Sequence, residues 1–166
     1  NYFTMSEFKW DELMVGISLG VVGLLIALVE GALIRYTTPK LGEYKSIYIG
    51  LALYAVGMLL FSFATEGWMM FVILIPYCLG GICGPALQSV ISKNVAPNEQ
   101  GELQGALTSL MSVTATIGPP LMTYLFYHFS EKNAAFRFPG APFFLAFMLM
   151  SVSVVITYYA FKEKKS

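Results

Sequence analysis

Apolar residues along this chain gather into five long runs, at about 13–34, 46–64, 69–92, 103–128 and 141–161. Each approaches or exceeds the ~20 residues a helix needs to cross a ~30 Å hydrocarbon layer. None shows the strict alternation of a barrel strand, and in lipid only helices and closed barrels satisfy their own backbone. The pattern predicts an all-α, polytopic membrane helix bundle. Short polar hinges separate the runs: RYTTPKLGEYK, TEGW, KNVAPNEQ and the longer SEKNAAFRFPGAP. Residues 1–5, NYFTM, read as the tail of a preceding span, and the first ten residues hold no signal-peptide pattern. Residues 1–166 are thus expected to form one transmembrane domain cut from a longer protein: five full spans and a clipped first helix.

Composition supports a membrane class. The chain is 57% hydrophobic and 12% charged, about half the charge a water-soluble domain carries. Its mean hydropathy is +0.67. A formal net charge of zero leaves no electrostatic footprint for nucleic acid. Lys and Arg set the orientation. Arg35, Lys40, Lys45, Lys93, Lys162, Lys164 and Lys165 fall on one side, and Lys9, Lys132 and Arg137 on the other. That bias places the 35–45 loop, the 93–100 loop and the C-terminus in the cytoplasm of a multi-pass protein of the inner or plasma membrane. Trp10, Trp68, Tyr127 and Phe129 then mark the outer interface, beside Glu7, Asp11, Glu12, Glu66 and Glu131.

The runs are not equivalent. Those at 46–64 and 141–161 are mostly large apolar and aromatic residues, as expected of lipid-facing scaffold. The first run carries Gly16, Gly20, Gly23, Ala27 and Gly31 at spacings of three and four, on one helical face. In 69–92, Gly80, Gly84, Gln88 and Ser92 recur at fours, and in 103–128 Thr108, Ser112 and Thr116 do so ahead of Gly118-Pro119-Pro120. Small stripes let helix backbones approach closely. Pro85 deprives the Gly81 carbonyl of its helical donor, and Pro119 and Pro120 free those of Ala115 and Thr116. Ser112, Thr114 and Thr116 are expected to help satisfy them. Bent helices with polar residues inside the membrane suit a substrate pathway, which makes Gly84, Pro85, Gln88, Ser112 and Thr116 candidate cavity residues.

Glu30 is the one carboxylate well inside an apolar run. Such a group is costly in lipid and points to function. Three readings stand: a gating role between halves, proton coupling, or a near-interface residue snorkelling or paired with Arg35. Gln88 either touches substrate or makes an interhelical hydrogen bond. Gln100, Gly101, Glu102 and Gln104 form a polar turn entering a helix, in which Glu102 suits the helix N-terminus. Gln104 joins Glu30 and Arg35 among the gating or coupling candidates. His128 reads as a boundary residue, and Lys162, Lys164 and Lys165 as a topological anchor. Cys78 and Cys83 match no metal or redox spacing. With one histidine and no phosphate-binding glycine loop, no catalytic set, metal site or cofactor is expected, and an enzyme is disfavoured.

The segments GPALQSVISKNVAPNEQGELQGALTSL and ATIGPPL resemble the tenth and eleventh helices of tetracycline-resistance-type drug:proton antiporters of the major facilitator superfamily. The most specific blocks are Pro85-Ala86-Leu87-Gln88, Gln100-Gly101-Glu102-Leu103-Gln104-Gly105 and Gly118-Pro119. MVGISLGVVGLL with Lys40–Glu43 resembles the eighth helix and its loop, and TEGW the turn between the ninth and tenth. The resemblance implies the six-helix C-terminal half of a twelve-helix transporter, whose partners are the N-terminal half, the bilayer, protons and a small amphipathic drug. It implies proton-coupled multidrug or antibiotic efflux by alternating access, with first and fourth helices lining the cavity, second and fifth facing the other half, and third and sixth as scaffold. Two positions depart from the pattern: Ile26 stands where tetracycline pumps have histidine, and the loop motif keeps Arg35 and Gly42 without an Asp-Arg pair. The other reading is a non-transporting membrane assembly module.

Overall fold

Helix starts and stops follow local chemistry. Helix α1 spans Tyr2–Phe8, and α2 spans Glu12–Leu28. Asp11 caps α2 in extended backbone, its carboxylate accepting the Met14 N–H at 2.8 Å, which satisfies a donor that has no partner within the helix. A π-helical turn, Val29–Leu33, continues α2 into α3, Ile34–Leu41. The helix therefore outruns the expected 13–34 segment, because the polar turn after Leu33 stays helical until Gly42. Gly42 has φ +80°, a backbone that favours glycine. It passes the chain straight into α4, Glu43–Ser62.

Helix α5, Gly67–Leu79, runs through a 3-10 turn at Gly80–Ile82 into α6, Cys83–Ser92. Ala96 is extended before Pro97, as the residue before a proline prefers. A short 3-10 turn, Pro97–Glu99, leads into α7, Gln100–Ser130, and α8 covers Ala141–Glu163. This computed structural model describes residues 2–130 and 138–163, which contain no strand. Asn1 of the expected preceding span, Glu131, Lys132 and Arg137 of the expected outer side, and the anchor residues Lys164 and Lys165 lie outside the described residues.

Among the described residues, four helical stretches are long and apolar enough to cross a membrane: Glu12–Leu41, Glu43–Ser62, Gly67–Ser92 and Ala141–Lys162. Helix α7 is absent from that set although it is longest, at 31 residues. Its hydroxyl residues and Pro119-Pro120 dilute the apolar surface expected of a lipid-facing span.

The 46–64 run was expected to face lipid as scaffold, yet it is the centre of packing. Helix α4 buries Ser46, Ile47, Gly50, Leu51, Ala55, Gly57, Phe61 and Ser62, a stripe at helical spacing. Helices α5, α6 and α8 all pack on α4. Toward its N-terminus, Ile47 and Leu51 meet Cys83, Ala86 and Val90 of α6, with Met150, Val154 and Phe161 of α8 against them. At the other end Phe61 packs with Ile73, Leu74 and Phe143. The physical reason is backbone approach. A Cβ added to Gly50 would lie 2.6 Å from the Cys83 Cβ and 2.8 Å from the Gly80 carbonyl oxygen, so only glycine fits. In lipid such close packing, rather than exclusion of water, holds helices together.

Candidate functional site

Two helices lose regular α geometry, and their irregular turns touch. The π turn Val29–Leu33 packs on the 3-10 turn Gly80–Ile82. Both lie about eleven residues from the ends of their helices at Leu41 and Ser92, and Tyr54 lies about as far from the start of α4, so all three sit at one depth, roughly 16 Å along the helices. The ends themselves are tied: Lys93 Nζ lies 2.6 Å from Glu43 Oε1, and Ser89 Oγ donates to the same oxygen at 2.5 Å. This cluster was missed in the sequence, although Glu43 and Lys93 are opposite charges in loops assigned to one side. Short runs of π or 3-10 helix inside longer helices often mark functional sites or hinges.

Glu30 belongs to the π turn and is exposed. Its expected partner Arg35 is exposed as well, and no ion pair joins the two. The structure thus does not pair Glu30 with Arg35. Opposite, Gly80 is buried against α4: a Cβ there would meet Tyr54 Cγ at 2.7 Å and the Gly50 carbonyl oxygen at 3.0 Å. The Tyr54 ring also stands edge-on to Tyr77, centroids 5.2 Å apart. Tyr54 carried no signal in the sequence, because its surroundings come from two other helices.

Gly84 and Pro85 follow the 3-10 turn on α6, both exposed, with nothing within 4 Å of a Cβ added at Gly84. One turn on, Gln88 Nε2 donates to Gln104 Oε1 at 3.0 Å. The fold thereby brings together one cavity candidate and one gating candidate, and makes the interhelical hydrogen bond that was one of two readings for Gln88. Gln100 holds the connecting loop, donating to the Ser92 and Val95 carbonyls at 2.7 and 3.0 Å.

Ser112 and Thr116 lie apart from this group, exposed on α7. Ser112 donates to Thr108 O and Thr116 to Ser112 O, both at 2.9 Å, and Thr114 donates to Leu110 and Met111 carbonyls. The expectation that these hydroxyls satisfy the carbonyls of Ala115 and Thr116 is corrected: helical side chains tilt toward the N-terminus and reach backward. Helix α7 has no buried residue and packs chiefly on α8 and the Pro97–Glu99 turn. Among the described residues no cluster could hold a metal ion.

The family model described as Major Facilitator Superfamily matches residues 1–165. The chain is 41% identical over 124 residues to the class C tetracycline resistance protein of Escherichia coli, covering 75% of this chain and 31% of that protein. To the class B protein of Escherichia coli it is 33% identical over 156 residues, 93% of this chain and 39% of the relative. Hippocampus abundant transcript-like protein 1 of Bos taurus is 25% identical over 169 residues, 91% of this chain and 34% of its own. The chain spans about a third of the length of these curated relatives. No solved structure matches it.

Proposed function

The chain belongs to the major facilitator superfamily, and from that premise we propose that it forms the C-terminal half of a proton-coupled exporter of small amphipathic drugs working by alternating access. One observation carries the reading: two spans break their α geometry at one depth, in contact, with Glu30 on one of them. Alternating access needs helices that bend at fixed places. A 3-10 turn followed by Pro85 gives α5–α6 such a place, since proline removes a backbone donor there. A carboxylate beside it gives a proton somewhere to bind.

The open faces support the same reading. Cβ atoms added at Gly16, Gly20, Gly23 and Gly31 on α2 and its π turn, or at Gly105 and Gly118 on α7, would have nothing within 4 Å. In this proposal α2 and α7 turn those faces to the N-terminal half, and α6 turns Gly84, Pro85 and Gln88 to the substrate cavity. Ser112 and Thr116 of α7 border that cavity, Arg35 and Gln104 flank the cytoplasmic gate, and no enzymatic step is involved. Two of the named relatives, those of Escherichia coli, are tetracycline resistance proteins. Ile26 replaces the histidine of that pattern, so other amphipathic drugs are the preferred substrates. The test is accumulation of ethidium and tetracycline by Escherichia coli expressing the whole protein. Lower accumulation of at least one drug, restored by a protonophore, is expected. Accumulation equal to that of cells with an empty vector would sink the proposal.

A further inference from the structure

The two irregular turns touch directly, and one side chain of α4 lies against the 3-10 turn beside their seam. The Tyr54 ring lies on the backbone of the 3-10 turn, as the 2.7 and 2.9 Å distances from a Gly80 Cβ to its Cγ and Cδ1 show. Its hydroxyl end reaches the seam with the π turn: a Cβ at Gly81 would lie 3.7 Å from the Tyr54 hydroxyl oxygen and 4.0 Å from Val29 Cγ1. Val29 is buried and precedes Glu30 in the π turn. Gly50, one turn before Tyr54, lets α4 approach the same 3-10 turn, its carbonyl oxygen 3.0 Å from the Gly80 Cβ position.

We propose that Tyr54 is a positioning residue that locks the π turn carrying Glu30 to the 3-10 turn of α5–α6, so that bending of one moves the other. This rests on the transporter reading and adds to it the part that makes two hinges act as one. A rigid aromatic wedge suits the task, because packed interfaces switch between discrete arrangements rather than deform continuously. The ring carries the coupling. Its contacts with Gly80 are made by ring carbons, while the hydroxyl is only in ordinary contact range of Gly81.

The experiment uses the whole protein in proteoliposomes with Cys78 and Cys83 replaced by alanine. Single cysteines are placed at Gly31 in the π turn or Gly84 in α6, both open positions. Their alkylation by a hydrophilic maleimide is followed with and without an imposed proton gradient. With Tyr54 present, both rates should change together, by about threefold or more for a modest population shift. With Tyr54→Leu, which removes the ring that lies against Gly80, one position should change without the other, and with Tyr54→Phe, which keeps that ring, the joint change should return. Tyr54→Ala serves as the second variant where its abundance permits. Joint changes that persist in Tyr54→Leu, or a Tyr54 protein in which only one position or neither responds, would overturn the proposal. Drug flux is measured in the same vesicles. Joint movement without flux of either drug would count against the export reading alone.

Discussion

Glu30 and Gln88 stand out in the sequence for the same reason: a polar side chain in an apolar run has to be accounted for. The structure gives them different surroundings. Glu30 is exposed on a π turn with no ion pair, whereas Gln88 shares a hydrogen bond with Gln104 on the neighbouring helix. Glu30→Gln keeps shape and removes the proton site. Abundance should hold while proton-driven export falls by about tenfold or more, ~1.4 kcal/mol or more in transition-state terms; unchanged flux and pH dependence would leave Glu30 with an interface role only. Gln88→Ala removes one exposed hydrogen bond, from its side-chain amide to Gln104, a net loss of about 0.5–1.5 kcal/mol at most. Folding should tolerate that, and minimum inhibitory concentrations across several drug classes should shift unequally. A uniform profile would assign Gln88 to packing.

At the scale of elements, glycine is where sequence and structure part company. Stripes of small residues are visible in α2 and α5–α6, but spacing alone does not say which are filled. Gly50, in a helix that reads as bulky scaffold, proves the most tightly packed against α6, while the conspicuous Gly84 is open. The helices themselves were legible, since twenty apolar residues in lipid have few other options. Their irregular turns were not, because π and 3-10 geometry is fixed by contacts between helices that no single run encodes. The contrast is measurable. Gly50→Ala forces a Cβ into α6 and should cost about 1–3 kcal/mol, the range for overpacking. Gly84→Ala should change the melting temperature in detergent little, or raise it slightly by better helix propensity. Equal melting temperatures for the two variants would contradict the packing described around α4.

For the whole molecule, orientation and export are linked, because a proton-driven exporter needs its gate ends on the cytoplasmic side. Charge bias puts Lys40 and Asn98 inside and Thr65 outside. In intact cells, with Cys78 and Cys83 removed, Thr65→Cys should react with a membrane-impermeant thiol reagent while Lys40→Cys and Asn98→Cys stay protected; the inverse labelling would reverse the topology. The helical class of the molecule was readable from run length. The centrality of α4 was not, because a helix's place in a bundle depends on what its neighbours bury.

Proton exchange is the central claim, and it can be read without knowing the natural substrate. The whole protein is reconstituted in liposomes with a pH-sensitive dye trapped in the lumen, and ethidium or tetracycline is added outside at equal pH on both sides. Coupled exchange predicts that drug entry is matched by proton exit, so that the lumen turns alkaline in the wild-type protein and far less so in Glu30→Gln. Drug uptake with no luminal pH change in the wild-type protein would contradict the account.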